Sequence, residues 1–234
     1  MVHATVTAPV TTMEDAIVSR RSVRAFLPTP VPRAEVERVL ALASRSASNS
    51  NVQPWQVQVV TDEAKQRLTA ALLHAYDTVG RTLPEYPYQP APHEWAEPFR
   101  SRRTRFGEGL YGRTLGLDSG DTTGREAHHR RNYDFFGAPV GMILTVSRHP
   151  RQSALVDAGL FLQALMLAAR GAGLDTCAQA SFIDFSPVLR EHLPIPEEQL
   201  IVCGIALGYA DADHCLNSYR TPREPAESFA TFHS

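Results

Sequence analysis

Lysine is all but missing from this chain of 234 residues: Lys65 stands alone, and every other one of the 23 basic side chains is arginine. Arginine suits planar, bidentate contacts to phosphate and carboxylate. GC-rich coding gives the same skew, so the bias by itself assigns no ligand. Cysteine is also scarce. Cys177, Cys203 and Cys215 are odd in number, form no CxxC pair and have no histidine at metal-ligand spacing. A disulfide framework and a structural zinc site are therefore not expected, nor is any other metal. Charge of one sign is lacking too: 23 basic residues against 25 acidic ones give -2, with no global field to recruit nucleic acid or an anionic membrane. No stretch approaches the roughly 20 apolar residues that span a bilayer. The opening Met-Val-His-Ala-Thr-Val-Thr-Ala has neither the basic start nor the apolar run of a signal peptide. The expectation is a cytoplasmic protein with no membrane or nucleic-acid partner. GxxxxGK[ST] and GxSxG are both absent, which removes the usual signatures of a P-loop and an α/β-hydrolase.

What is present is ordinary globular material. Apolar residues make up 43% and charged residues 21%, which argues against a disordered or fibrous chain. The spacing predicts a helix over 13–19 ending near Arg20–Arg21, then an extended passage forced by Pro28, Pro30 and Pro32. Val36, Val39, Leu40, Leu42 and Ala43 form an apolar stripe that predicts a helix over 33–44. Residues 46–53 are small or polar and stop at Pro54-Trp55, the composition of a loop. A strand is expected over 56–61 and a second amphipathic helix over 63–76.

Prolines at 84, 87, 90, 92 and 98 make regular structure improbable there, and an arginine-rich run follows over 100–131. No linker stands elsewhere. Residues 82–131 therefore read as an insertion or lid within a single domain of 1–234. A buried strand is expected over 139–147. A helix over 153–170 is apolar almost all round, buried on more than one face and ended by Gly171 and Gly173. A short helix over 187–193 leads to a strand over 199–208. The polar tail carries Phe229 and Phe232, which are expected to dock somewhere. Strands too few for a doubly wound fold, interleaved with helices, give an α+β domain: a small sheet sandwiched by helices.

The carboxylate pairs Glu14/Asp15 and Glu197/Glu198 are adjacent in sequence, so on a helix they point apart and suit helix-end solvation. His128-His129 reads as two solvated histidines. Three features resist so plain an account. Arg20, Ser22 and Arg24 share one face of an extended segment and make an anion site. Ser48, Asn49, Asn51 and Gln53 crowd hydrogen-bonding groups against Pro54-Trp55. A second arginine pair, Arg220 and Arg223, lies in the turn Asn217–Pro225 beyond the last strand. Together they suit a phosphorylated, ring-bearing cofactor.

With these, Arg20-Arg-Ser-Val-Arg24 and its Phe26, Ser48–Trp55, Gly173–Ser181, Gly204–Tyr209 and Asn217–Pro225 resemble the nitroreductase family of FMN-dependent oxidoreductases, in order and spacing, over roughly residues 13–227. Phe135–Val140 and Leu115-Gly-Leu-Asp118 further resemble the nitrobenzoate reductase-like subgroup. The resemblance implies a three-layer sandwich with a small, mostly antiparallel sheet. It also implies an intertwined homodimer with flavin sites at its interface and an exchanged C-terminal tail. It places Arg20 and Ser22, with Arg21 beside them, at the FMN phosphate and ribityl chain, and Arg24 at the flavin N1/O2 edge. Arg220 and Arg223 fall at a phosphate clamp. Ser48, Asn49 and Asn51 fall in a loop partly delivered by the other subunit, and the backbone amides of Gln179 and Ala180 at flavin N5 and O4. Arg24, Gln179 and Ala180 are thus the catalytic candidates. Arg102, Arg103 and Arg105 are candidates for an anionic substrate or nucleotide. The activity implied is ping-pong, two-electron transfer from NADH or NADPH through FMN to a nitroaromatic, carboxylated or not, or to a quinone. The same scaffold could instead run reductive dehalogenation, enoate reduction or flavin fragmentation, or bind flavin without turnover. Ala47 and Ala178 stand where the family commonly has proline; neither change removes a donor.

Overall fold

Four antiparallel strands carry two separate apolar layers. The computed structural model describes residues 9–233; the N-terminal octapeptide read above for a signal segment lies outside them. Helices α1 (Met13–Ser19) and α2 (Arg33–Ala43) precede strand β1 (Trp55–Val60) and helix α3 (Asp62–Thr78). Helices α4 (Phe99–Gly107) and α5 (Thr122–Arg130) follow, then strand β2 (Val140–Ser147) and helix α6 (Arg151–Gly171). Strand β3 (Asp175–Gln179), helix α7 (Ser186–His192) and strand β4 (Gln199–Gly208) complete the set. The sheet order is β1-β2-β4-β3, with every neighbouring pair antiparallel.

Period-two alternation sorts the strand side chains into the two layers. Met142, Leu144, Val146, Cys203, Ile205 and Leu207 face one layer, where α2 contributes Val36 and Val39 and α6 contributes Ala158, Phe161 and Leu165. Ile143, Ile201, Ala206 and Cys177 face the other, against Leu68 and Leu72 of α3, Leu189 of α7 and the aromatic group Tyr133, Phe135, Phe182 and Phe185. Because β2 is covered on both sides, it reads as a continuous apolar run, Val-Gly-Met-Ile-Leu-Thr-Val-Ser. The three-layer α+β sandwich is present as expected.

Residues 175–179 form a strand to which no element had been assigned, since five residues of mixed polarity carry no period to read. One expectation needs correction. Helix α6 is long and apolar enough to cross a bilayer by length and composition, although Ala154, Ala158, Phe161, Leu165 and Ala169 pack it on the sheet. Val156 and Leu160 on the same helix are exposed in the single chain. The tail does not dock on its own chain: Phe229 is 76% exposed and Phe232 90%.

The insertion splits in two. Residues 82–91 run without regular structure, as the prolines require, whereas the arginine-rich part is helical in α4 and α5. Between those helices Glu108–Thr114 forms a π-helical turn. The letters Gly-Glu-Gly-Leu-Tyr-Gly over 107–112 spell GxGxxG. They lie within this helical run rather than after a strand, so they are no dinucleotide-binding turn.

Candidate functional site

After α1 the chain runs extended along the free edge of β3. The Val23 amide donates to the Thr176 carbonyl at 3.0 Å, and Ser22 pairs with Thr176 in a parallel bridge. Further along, the Leu27 amide donates to the Tyr209 carbonyl at 2.8 Å. Val23 and Ala25 are buried inward by this pairing, which leaves Arg20, Arg21, Ser22 and Arg24 to line a cavity of about 600 Å³. The edge strand converts an arginine-rich linker into a fixed wall.

The opposite wall comes from the C-terminal segment. Asn217 is buried. Its Nδ2 donates to the Ala25 carbonyl at 2.7 Å and the Asp211 carbonyl at 2.8 Å, and its Oδ1 accepts from the Arg24 amide at 2.9 Å. Arg220 and Arg223 thereby line the same cavity as Arg20 and Arg21, with Ile17, Val18, Phe106 and Tyr219 as its apolar surfaces.

This cluster holds unbalanced positive charge. Burial pulls the Arg20 guanidinium below its ordinary pKa, and Arg223 pulls it further. Burial does the same to Arg21; Asp175 opposes the shift, while Arg220 and Arg170 add to it. The Arg21 Nε is buried and has no hydrogen-bond partner among the described residues. Buried donors are rarely left so, and a bound oxyanion would satisfy it. The Arg24 guanidinium is held by the Ser22 carbonyl at 3.3 Å and lies 5.7 Å from the centre of the Phe106 ring.

The other expected residues lie elsewhere. Gln179 ends β3 opposite Gly204, three residues or about 10 Å along the strand from Thr176. Its Nε2 donates to the Asn132 carbonyl at 2.8 Å, while its buried Oε1 has no partner among the described residues. Ala180 follows, exposed. Ser48, Asn49 and Asn51 sit on the N-terminal half of α6, where the Asn49 amide donates to the Asp157 carboxylate at 3.2 Å and the Ser48 hydroxyl accepts from the Gln53 amide at 3.0 Å. Ser50, Asn51 and Gln53 all have positive φ, so the loop is tightly turned. Neither this loop nor Gln179 and Ala180 line the arginine cavity of the single chain. Of the insertion arginines, Arg102 pairs with Glu224 at 3.3 Å, Arg103 lies 5.4 Å from the Trp95 ring, and Arg105 points with Arg102 into a smaller adjoining cavity.

Several neighbours were not legible beforehand. Tyr219 donates through its hydroxyl to the Phe106 carbonyl at 3.2 Å. A side-chain carbon on Gly109 would collide with the Tyr219 ring, so only glycine permits this contact. His128 is buried rather than solvated, edge-on to Tyr111 at 5.7 Å. Burial, then Arg24, Arg131 and His129, push its pKa down to about 4. A neutral imidazole thus stands near Arg24 at neutral pH. The doublet His128-His129 gave no sign of which ring turns inward. Among the described residues no group of three metal-ligating side chains occurs.

Residues 17–209 match the nitroreductase family. The chain belongs to that family. It is 57% identical over 219 residues to a 4-nitrobenzoate reductase of Nocardioides sp. strain LMS-CY, covering 93% of this chain and 89% of the relative. It is 43% identical over 219 residues to a 4-nitrobenzoate reductase of Pseudomonas putida, covering 93% and 94%. Among solved structures, the FMN and NADPH-dependent nitroreductase NfnB from Sphigopyxis sp. strain HMH superposes with a TM-score of 0.89 at 34% identity, over 96% of this chain and all of that one. Nitroreductase membership and the nitrobenzoate reductase-like subgroup, both expected from the motifs, are thus supported.

Proposed function

We propose that this nitroreductase-family chain is an FMN-dependent oxidoreductase that takes reducing equivalents from NADH or NADPH. In a ping-pong, two-electron cycle it reduces nitroaromatic compounds, with 4-nitrobenzoate as the first candidate substrate and quinones as a second class. The observation that carries this reading is the cradle of Arg20, Arg21, Arg220 and Arg223, in which the buried Arg21 Nε has no hydrogen-bond partner among the described residues. A phosphate dianion is the ligand such donors fit. The 57% identity to a 4-nitrobenzoate reductase supports the choice of substrate.

When bound, FMN supplies the hydride and electron chemistry that no side chain offers. The chain supplies the rest. The four arginines would hold the phosphate and Ser22 the ribityl chain. Arg24, already fixed by the Ser22 carbonyl and the Phe106 ring, would offer a preorganised positive charge to a reduced, anionic ring. The backbone amides of Gln179 and Ala180 would help to orient the ring. No side-chain acid is required, because solvent can supply the protons.

The assembly is a homodimer in the cytoplasm. The exposed Val156 and Leu160 on α6 and the exposed Phe229 and Phe232 on the tail are the apolar surfaces it would cover. The Ser48–Asn51 loop lies outside its own chain's cavity, and would contribute to the partner's. The test is the phosphate itself: FMN should bind about 100-fold more tightly than riboflavin, measured by quenching of flavin fluorescence. Equal affinities would contradict the reading.

A further inference from the structure

Helix α5, the second helix of the arginine-rich insertion, is tied to the C-terminal end of α3 by one cluster of polar side chains. Arg81, just past the end of α3, stands at its centre. The Arg81 Nη2 lies 3.3 Å from the His129 Nδ1 and 3.9 Å from the Glu126 carboxylate. The Tyr76 hydroxyl of α3 also donates to Glu126, and the Tyr76 ring stacks on His129 at 6.0 Å and 22°. Arg130 completes the seam with a bidentate pair to Asp77 at 2.8 and 2.6 Å. Arg81 is itself held from behind, because the amide and the hydroxyl of Thr82 both donate to the Asp184 carbonyl, at 2.9 and 2.6 Å.

This geometry fixes the protonation of His129. A guanidinium carries N–H donors and no acceptor, so the Nδ1 that faces Arg81 offers its lone pair and the ring proton sits on Nε2. Only the neutral imidazole makes the contact. A proton on Nδ1 removes the acceptor and sets two cations 3.3 Å apart. The ring is half-buried between Tyr76 and Tyr133, where water screens that repulsion less than in bulk.

We propose that His129 is a pH-sensitive latch on the insertion: neutral, it holds α5 to α3 through Arg81, and protonated it lets α5 go. The titration of the ring agrees in sign. Burial first, then Arg81, lower it from 6.5, against the pull of Glu126. A lowered value stabilises the latched state fully above the ordinary 6.5, and that stabilisation is lost as pH falls toward the lowered one. The groups around the ring are Tyr76 and Asp77 of α3, Arg81, then Glu126, His128 and Arg130 of α5, Tyr133 after it, and Asp184 behind Arg81. Tyr76 and Tyr133 are both raised, by burial first, which takes them away from the acid side. Arg130 lowers Asp77, and His128 gains its charge only near pH 4. Asp184, raised by burial, is the rival to be separated. Release of α5 bears on the large cavity, because His128 stands next in the chain and feels the charge of Arg24.

Hydrogen exchange of the full chain, read by mass spectrometry and corrected for the intrinsic pH dependence of amide exchange, tests the latch. From about pH 7.5 to about pH 5.5 the protection of the α5 amides should fall about five- to tenfold in the parent, while that of β2 and β4 holds. His129→Gln keeps an acceptor for Arg81 and takes up no proton, so its α5 protection should stay level over the same range. Arg81→Gln, a second variant should the first not fold, removes the charge that repels the protonated ring. Its α5 amides should be poorly protected at both pH values. Unchanged α5 protection in the parent would overturn the latch. So would an equal fall in His129→Gln, which points to Asp184, or an Arg81→Gln variant that follows the parent. The readout needs neither flavin nor substrate, so it stands or falls apart from the proposed function.

Discussion

Asn217 holds Arg24 by its backbone: the Asn217 Oδ1 accepts from the Arg24 amide at 2.9 Å while its Nδ2 spans the carbonyls of Ala25 and Asp211. One buried amide, 193 positions away in sequence, joins the two arginine segments into a single cradle. Asn217→Ala would strand an amide and two carbonyls in a dry environment, at about 1–3 kcal/mol for each group left unsatisfied. A loss of about 3 kcal/mol, or about 6–12 °C in Tm for a chain of this size, is expected by thermal denaturation, together with loss of flavin on gel filtration. A variant that keeps both its Tm and its flavin would show that the cradle is held by something else.

Gly109 offers a second handle on the same region. In Gly109→Ala the new methyl group meets the Tyr219 ring, and overpacking of this kind costs about 1–3 kcal/mol. Tyr219→Phe keeps the ring and loses only the bond to the Phe106 carbonyl, at about 1 kcal/mol. Urea denaturation should therefore rank Gly109→Ala as the more destabilised of the two. The opposite order would mean that the hydroxyl, not the close approach, fixes Tyr219.

Acid sensitivity follows from His128. Its pKa lies at about 4 in the folded chain, against an ordinary 6.5. Because the folded value is depressed, the unfolded state binds the proton first as pH falls. The stabilisation is complete above about pH 6.5 and drains away toward pH 4, by an amount on the order of 1–3 kcal/mol. His129 is shifted in the same direction, first by burial and then by Arg81, and adds to the slope. Stability measured against pH should show His128→Phe losing less over this window than the parent. Parallel curves would place the acid sensitivity elsewhere.

The residues that line the arginine cavity were legible in sequence where side chains of one kind cluster, and not where tertiary contacts decide the neighbours. The run of arginines at 20–24, the polar loop before Trp55 and the second pair at 220 and 223 are dense in side chains of one kind, so composition alone marked them. Arg21, off the alternating face of Arg20, Ser22 and Arg24, was expected at the phosphate only from the family resemblance, and it lines the same cavity. Strand β3 was missed because Asp-Thr-Cys-Ala-Gln owes its burial to β4 on one side and Ser22 on the other, not to its own pattern. The π-helical turn was illegible for a similar reason, since Tyr219 is tied to Phe106 across 113 positions. Arg103 looked equivalent to its neighbours and instead faces Trp95.

The exposed face of α6 predicts association. Val156 and Leu160 are 66% and 46% exposed on a helix whose other side is core. Val156→Asp with Leu160→Asp should leave the sheet intact by circular dichroism and shift sedimentation from a dimer to a monomer. If the dimer is the functional unit, flavin should be lost with it. A double variant that stays dimeric would move the interface off this face.

The central claim is a flavin cradle that turns over. The most direct measurement is the visible spectrum of the purified protein, followed anaerobically on adding NADPH or NADH and then 4-nitrobenzoate. A flavin absorbance that bleaches with the nucleotide and returns with the nitro compound is the predicted result. A colourless protein that takes up no FMN and oxidises neither nucleotide would contradict it.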